Sequence, residues 1–593
     1  MIHMKKLPKN LSYQIIIFLA SLVFFVPVFL WLPKTNILLA IFSSSIVILM
    51  AILFCRFVGQ VTISKILEEF HEIKAPGWKY FIIGVSVLTG FWLTLNIPLV
   101  SPPVERNPFL SPLVVRLSYR FLSAIGIGLL FFILLLIVGR RIEVRKGKNK
   151  HEERPYLFLK YFLVMVFVWG VYLLAFYPGM MSADSFNQWK QVMTGVYNDH
   201  HPPFHTFTIW LVTRIAFTPT SVAIAQILFL GFVAAQWFVF FEQIGLPKWL
   251  IWVSLGIFSL SPVNGTMVNT LWKDIPFSTS VLALSLLLAK IVFSGGQWIQ
   301  SWKAKILLGI TCALVLLFRH DGLPLGVGTI AALFVFYPGK WKSWAITTIV
   351  CFGLYFGVRG PLYQLVGVQK TTVLAESSLS LYSMAAYAKE GSQAEQLINT
   401  FQIISPTWDC RLAGKIQPEW RSTDLDYSQS PVQILANLIQ RMPKVMLYFY
   451  RCARAMEWIV WDPYGEVRNA SHVEVLVDAN PYGIQHDSKI PWLRDIIRDW
   501  VIKTSHNPNI NWFTWRPALF LYINLFISLV LILRNRSLRF GLISLPIFIQ
   551  SVTFSLIFAE PNFRYHYAVY LVSLISWPLI FLPPLQLEEK TEA

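Results

Sequence analysis

Apolar runs of roughly 20 residues recur from one end of the chain to the other, and that recurrence leaves few folds open. A run of this length, coiled as an α-helix, matches the hydrocarbon thickness of a bilayer. Only 14% of the residues are charged and mean hydropathy is +0.56, whereas an average soluble domain is about a quarter charged. A chain of 593 residues with so little charge cannot bury its apolar surface in one water-soluble core. The expected fold class is therefore an all-α polytopic membrane protein.

About fourteen spans are expected, near 13–32, 37–57, 80–99, 119–139, 157–177, 221–241, 248–264, 274–293, 304–319, 322–338, 343–360, 517–533, 540–558 and 565–582. The basic start and first apolar run have no small-residue cleavage site and lead directly into further spans. They are read as a first span, not as a cleaved signal.

Lys and Arg in short loops set the orientation. Lys5, Lys6 and Lys9 precede the first span, and Lys65, Lys74 and Lys79 follow the second. Arg140, Arg141, Arg145, Lys146, Lys148, Lys150 and Arg154 follow the fourth, and Lys303, Lys305, Lys340, Lys342, Arg534, Arg536 and Arg539 mark later loops. An even count of spans puts all of these loops on one side, with both termini cytoplasmic in a multi-pass cell-membrane protein. The net charge of +19 is thus explained by membrane anchors. It does not lie on an aromatic-studded patch, so membrane lipid, not nucleic acid, is the expected partner.

Two outer segments are long, 178–220 and 361–516. The second contains the apolar stretch Val445–Trp461, interrupted by Arg451, Arg454 and Glu457. Charges at mid-membrane are costly, so this stretch is expected to be an amphipathic or buried helix of an outer domain. Tyr382, Trp408, Trp420, Trp458 and Trp461 there could stack on sugars or pack the domain's own core. None of the five cysteines pairs at zinc-site spacing. Cys410 and Cys452 share the outer segment, either as a disulfide or as two unrelated thiols.

Five polar clusters fall on the outer face. They are Ser182-Ala183-Asp184-Ser185, Asn198 to His205, Trp272-Lys273-Asp274, Arg319-His320-Asp321-Gly322 and Glu560 to His566. Ionisable residues at span ends are often interface anchors. Five clusters on one side of a weakly charged chain point instead to a pocket at the membrane surface.

Asp184 follows Tyr177-Pro178-Gly179, which ends a helix abruptly. Its small polar neighbours leave the carboxylate accessible, which suits a general base. The alternative is a helix N-cap for a segment starting near Phe186. His200, His201 and His205 invite a metal reading together with Asp184, since His201 and His205 are four apart. Pro202 and Pro203 stand between them, however, so His201 must precede a juxtamembrane helix, Phe204 to Phe217, instead of riding on it. No metal cofactor is favoured. Arg564, supported by Lys273 and Arg319, suits a phosphate or diphosphate, because a guanidinium fork matches phosphate oxygens. The bland role for Arg564 is a pair with Glu560, four residues earlier.

The stretch from Asp184 through Gly195 to His201-Pro202-Pro203 resembles the first outer loop of the GT-C superfamily, the polyprenyl-phosphate-sugar glycosyltransferases that include protein mannosyltransferase-like and aminoarabinose transferase-like groups. Glu560, Arg564 and Tyr565 resemble a late Arg-Tyr motif of such families. More narrowly, Tyr-Pro-Gly, Asp-Ser, His-His-Pro and Trp-Lys-Asp in that order look like a group of Gram-positive membrane proteins placed near these transferases. The resemblance covers roughly 157 to 582.

It implies a four-span N-terminal addition over 1–156, a GT-C-like core over 157–360, an extracytoplasmic domain over 361–516, and three spans with a short cytoplasmic tail over 517–593. One departure stands out: many members have two adjacent acids where Asp184 is followed by Ser185. Either one Asp suffices, as in metal-independent members, or Asp199, Asp274 or Asp321 supplies the second acid.

The activity implied is inverting transfer of a sugar from a polyprenyl-phosphate donor to an envelope glycan, lipid or protein. Asp184 is the implied base. Arg564, Tyr565, Lys273, Asp274, Arg319, His320 and His201 would bind substrate and phosphate. Rival readings are a polysaccharide polymerase or ligase, a transporter or flippase, and a non-catalytic envelope assembly protein.

Overall fold

The computed structural model describes residues 70, 76–96, 113–141, 155–370, 382–400, 425–456, 471–507, 510–557 and 562–583. Among these the chain is all-helical, with isolated β-bridges and no strand. It divides into two compact units, Met1–Glu143 and Val144–Ala593. In the first, α1 (Pro76–Asn96) packs along α2 (Leu113–Arg141). A methyl added at Gly90 would lie 2.2 Å from the Ala124 carbonyl oxygen. Small residues at such a crossing let two apolar helices approach backbone to backbone.

The second unit opens with α3 (Pro155–Ala175), α4 (Ala183–Thr194), α5 (Pro203–Thr213), α6 (Pro219–Gln243), α7 (Lys248–Leu260) and α8 (Pro262–Val268). It continues with α9 (Asp274–Phe293), α10 (Trp302–Phe318), α11 (Leu323–Phe336), α12 (Trp341–Gly357), α13 (Gln393–Thr400) and α14 (Pro431–Met456). It closes with α15 (Pro491–His506), α16 (Pro517–Asn535), α17 (Leu545–Ile557) and α18 (Tyr567–Ser576). Among the described residues five stretches are long and apolar enough to cross a membrane: Tyr156–Ala175, Pro219–Gln243, Asp274–Phe293, Pro338–Leu365 and Pro517–Asn535. The pair α7 and α8, bent by 53°, makes a sixth if it is one broken span.

The spans expected near 13–32 and 37–57 lie outside the described residues. The other expected spans overlap described helices, but α11 and α18 have only 14 and 10 residues, and α17 is described over Leu545–Ile557. Prolines mark the start of α17 and the end of α18. The 3₁₀ turn Leu538–Ile543 leads to Pro546, and α18 ends where Trp577–Phe581, containing Pro578, tightens to 3₁₀. A proline lacks the N–H that an α-helix interior needs.

The core is α9, buried along nearly its whole length and packed against α6, α10, α17 and α18. A helix apolar all round belongs inside a larger assembly. Thr279 and Ser280 fit there because their hydroxyls bond back to the carbonyls of Ile275 and Pro276 at 2.9 and 2.8 Å. Cross-links fix its surroundings. The Trp237 indole donates to the Leu282 carbonyl at 3.1 Å, Trp169 to Ser259 at 3.0 Å, and Tyr567 to Asn264 at 2.9 Å. Each satisfies a buried polar group that would otherwise cost about 1–3 kcal/mol.

The 361–516 segment differs from expectation in where its helix lies. The amphipathic helix expected over 445–461 is α14, which starts fourteen residues earlier at Pro431 and is described to Met456. Its buried side chains, among those described, are Arg441 and Val445: Arg441 donates to the Ala388 carbonyl at 2.8 Å and pairs with Glu395 of α13. Glu457, Trp458 and Trp461, like Cys410, Trp408 and Trp420, lie outside the described residues.

Residues 471–490 form a strap across the end of α3. Asp487 and Lys489 donate their amides to the Tyr177 and Leu174 carbonyls at 2.9 and 2.8 Å. The Met181 amide donates to Leu476, and the Asp478 amide to Met181, at 2.9 Å each.

The turn between α10 and α11 is held by close approach at Gly322, where an added methyl would lie 2.1 Å from the Val315 carbonyl oxygen. At Gly339 nothing lies within 4 Å of such a methyl. Gly322→Ala should therefore cost about 1–3 kcal/mol, and Gly339→Ala close to nothing. Thermal unfolding of both variants in detergent checks this; equal melting temperatures would count against so tight a turn at Gly322.

Candidate functional site

The site is assembled where helices begin or end. The backbone from Met180 to Ser182 is clamped from both sides. The Met180 amide donates to Asn269, and the Leu271 amide returns to Met180, at 2.9 Å each, while the strap pairs with Met181. Gly179, at φ +118°, turns the chain into this clamp; an added methyl there would sit 2.9 Å from a Leu271 methyl.

Ser182 is the N-cap of α4, and its amide donates to Ser185 Oγ at 3.2 Å. Asp184 is the second residue inside the helix, so it is not the cap considered from sequence. The two serines do that work and leave the carboxylate pointing outward, with its side chain 34% exposed. Ser185 Oγ also donates to the Leu271 carbonyl at 2.8 Å, and Trp272 Nε1 donates to Ser182 Oγ at 2.8 Å. These bonds tie α4 to the segment before α9.

That segment is the unwound end of the bent pair. From α6, Gln226 donates to the Val268 and Thr270 carbonyls at 2.9 Å each. This supplies partners that the helix lost where it broke. Lys273 and Asp274 follow, with Asp274 opening α9 at its positive end.

The charged groups alternate. Arg564 Nη2 lies 2.9 Å from Asp184 Oδ2, and its Nε lies 3.9 Å from Asp274 Oδ2. Asp274 is 1% exposed, and its other oxygen pairs with Arg319. Arg319 in turn makes a two-pronged pair with Asp321, at 2.9 and 3.1 Å. The sequence Asp184, Arg564, Asp274, Arg319, Asp321 thus forms one chain of opposite charges. Aromatic faces cover both guanidinium groups: Arg564 lies 4.8 Å from the Trp272 ring centre and 5.0 Å from Tyr565, and Arg319 lies 4.7 Å from Tyr565.

His201 completes the site. Lys273 Nζ lies 2.8 Å from His201 Nδ1, and His201 Nε2 lies 3.7 Å from Asp184 Oδ1. With the ammonium donating to Nδ1, the ring proton sits on Nε2 and faces the carboxylate. Burial and the adjacent Lys273 charge push the His201 ring down to about 2, so it stays neutral. Burial alone would raise the Asp184 carboxyl, but the Lys273 and Arg564 charges override it and hold it well below the usual carboxylate range. Burial pulls the Lys273 ammonium below its ordinary value, against the pull of Asp184 and Asp274. Asp184 is thus an ionised, partly exposed acceptor beside two cations and a neutral imidazole.

Of the residues singled out from sequence, Asp184, His201, Lys273, Asp274, Arg319, Asp321, Arg564 and Tyr565 meet here. His205 does not. Its Nδ1 lies 3.0 Å from Gln188 Oε1 and its ring packs toward Phe318, fully buried. His200 is exposed and touches the site only through the His201 ring. Among the described residues no three His, Cys, Asp or Glu side chains gather as metal ligands. Glu560, considered as a partner for Arg564, lies outside the described residues.

Asp199 and His320 form a neighbouring cluster. His320 Nε2 is 3.3 Å from Asp199 Oδ1, and Arg359 Nη2 is 3.1 Å from Asp199 Oδ2. Arg359 was missed from sequence. It sits in a π-helical turn, Val358–Leu362, that contains Pro361, and its signal was a lone cation at the end of an apolar run. His472 of the strap was missed too; it pairs with Asp478 at 3.2 Å and its ring faces Trp272.

Removing one member of a buried ion pair costs about 3–5 kcal/mol because its partner is left uncompensated. Asp274→Ala, which strips the shared partner of two guanidinium groups, should reach that range. Asp184→Ala should cost less, since its carboxylate is one-third exposed. Thermal unfolding in detergent ranks the two, and the reverse order would overturn this account of the ion chain.

Comparison of the chain with protein families, with characterised proteins and with solved structures finds no match.

Proposed function

We propose that this is a multi-pass membrane enzyme that transfers a sugar from a polyprenyl-phosphate donor to an envelope acceptor, working at the outer face of the cytoplasmic membrane. The observation that carries the proposal is Asp184: an ionised, partly exposed carboxylate 2.9 Å from Arg564, at the end of apolar helices. The acceptor's hydroxyl oxygen forms the new bond to the sugar's anomeric carbon from the side opposite the phosphate. Asp184 takes the hydroxyl proton. The carbon–oxygen bond to the phosphate breaks, and the polyprenyl phosphate leaves with its charge held by Arg564 and Lys273.

Arg564 suits the clamp because its Nε makes no hydrogen bond among the described residues, leaving donor capacity for an incoming oxygen. On α5 and just after it, Trp210, Leu211, Ile215 and Phe217 are exposed. This is the surface expected of a helix lying at a lipid interface, and it supports a lipid-linked donor. The likeness of the Asp184, His201-Pro202-Pro203 and Arg564-Tyr565 segments to GT-C transferases supports the same reading.

The first test compares wild type with Asp184→Asn, purified in detergent and supplied with radiolabelled polyprenyl-phosphate hexoses and envelope extract. A general base is worth about 10²–10⁴-fold, so transfer should fall by at least about a hundredfold. Equal transfer by both proteins would remove Asp184 from the chemistry.

The pH profile gives a second test. His201 stays neutral, so the rate should show no limb near the usual histidine value of about 6.5. Lys273 loses its charge below the ordinary lysine value. The rate should therefore fall on the alkaline side before pH reaches about 10.4, and Lys273→Arg should move that fall upward. An acid limb near pH 6.5 that vanishes in His201→Gln would contradict the assignment of His201.

A further inference from the structure

A carboxylate engaged by a guanidinium is a poor place to start a proton transfer. The ion chain contains three carboxylates, Asp184, Asp274 and Asp321, and three cations, Lys273, Arg319 and Arg564. As it stands the group is neutral, and a phosphate entering it would bring one or two negative charges with no spare cation to meet them. The chain has to give at its weakest link.

Arg319 cannot be that link, because it is hydrogen-bonded to both Asp274 and Asp321. Arg564 is buried to a similar degree but is held less tightly. It contacts Asp184 through one nitrogen, Nη2, which it also offers to Tyr565 at 3.2 Å. Its Nε lacks a hydrogen bond among the described residues, and the facing Asp274 Oδ2, 3.9 Å away, lacks one as well. Asp184 is the most exposed of the three acids, at 34% against 1% for Asp274 and 12% for Asp321. It can therefore be rehydrated most cheaply.

We propose that the phosphate of the substrate and the Asp184 carboxylate compete for Arg564, so that binding of the donor itself releases the base. This rests on the transferase reading and adds its regulation. Before binding, Asp184 is held by Arg564, and the site has a base with little appetite for a proton. When a phosphate takes Arg564 Nη2, Asp184 is left facing His201 Nε2–H and solvent. Its affinity for a proton then rises toward that of an ordinary carboxylate, because the nearest cation has been screened.

The other groups around Asp184 do not reverse this. Lys273 stays beside Asp184 and continues to hold its proton affinity down, so the rise is partial; Tyr565 keeps its proton, and His472 on the strap is paired with Asp478. Base strength thus rises when donor is present.

The test is anion binding, which needs no turnover. Farnesyl phosphate and inorganic phosphate are titrated calorimetrically into full-length wild type, Asp184→Asn and Arg564→Gln in detergent, with Arg564→Lys as a second variant should the glutamine protein fail to fold. Competition predicts that Asp184→Asn, which keeps shape but loses charge, binds about tenfold tighter or more, and that the Arg564 variants bind more weakly than wild type. Tightening with farnesyl phosphate alone makes the ligand a lipid phosphate; tightening with both makes the phosphate group sufficient; either supports the competition.

Weaker binding by the Arg564 variants with no gain in Asp184→Asn would overturn the competition and leave the donor-binding role of Arg564 intact. Undiminished binding by the Arg564 variants would overturn both.

Discussion

Charge cannot be left alone in an apolar interior, and the second unit is organised around that constraint. Asp274 is essentially inaccessible and opens the most buried of the described spanning helices. An isolated carboxylate there would carry a desolvation penalty of several kcal/mol. It is tolerated because Arg319 and Arg564 arrive from two distant places further along the sequence, one from the end of α10 and the other from the segment before α18. Each arginine then needs a second acid, which Asp321 and Asp184 supply. Four short stretches, spread from residue 184 to residue 564, are fixed against one another by this single requirement. Replacing such a network with apolar residues is often neutral or stabilising, so stability alone is a weak reason for a chain to carry it.

The same economy governs the backbone around the site. A helix that breaks inside an apolar body exposes amides and carbonyls that need partners. The break between α7 and α8 and the unwound residues after it are met by Gln226, by the Met180 backbone and by Asn269, whose side chain donates to the Gly265 carbonyl at 2.8 Å. The interruption places Trp272, Lys273 and Asp274 side by side with Ser182 and Asp184. The strap over 471–490 uses the other edge of Met181, so the 361–516 segment bears directly on the wall of the site.

Much of this was legible in the sequence, and the reasons are specific. Helices declared themselves through apolar runs, and the charges between them were too few to be background, so Asp184, Lys273, Arg319 and Arg564 stood out. Their partners were less legible. Glu560 is four residues from Arg564, whereas Asp184 is 380 residues away in the chain and Asp274 is 290, and hydropathy says nothing about which span ends meet. The spacing of His201 and His205 suggested a pair, but helix geometry turns His205 to Gln188. Ser182 and Asp184 are both good caps by composition, and only the backbone decides between them. Arg359 hid at the end of an apolar run, where an anchor and a functional cation look alike.

Transport is the reading that a broken helix most invites, since transporters use unwound carbonyls and half-helix ends at mid-membrane to hold ions. Here those carbonyls are occupied. Gln226 takes Val268 and Thr270, and the Met180 amide takes Asn269. The charges nearby lie at helix termini, not at helix midpoints, and they pair with one another in a neutral chain with one exposed end. That end is a carboxylate, with a guanidinium behind it whose Nε is unbonded among the described residues. A carrier needs a site that closes around its cargo from two sides in turn. Among the described residues this site is closed on the buried side by Asp274 and Arg319 and most exposed at Asp184, which favours chemistry on a group presented from one face.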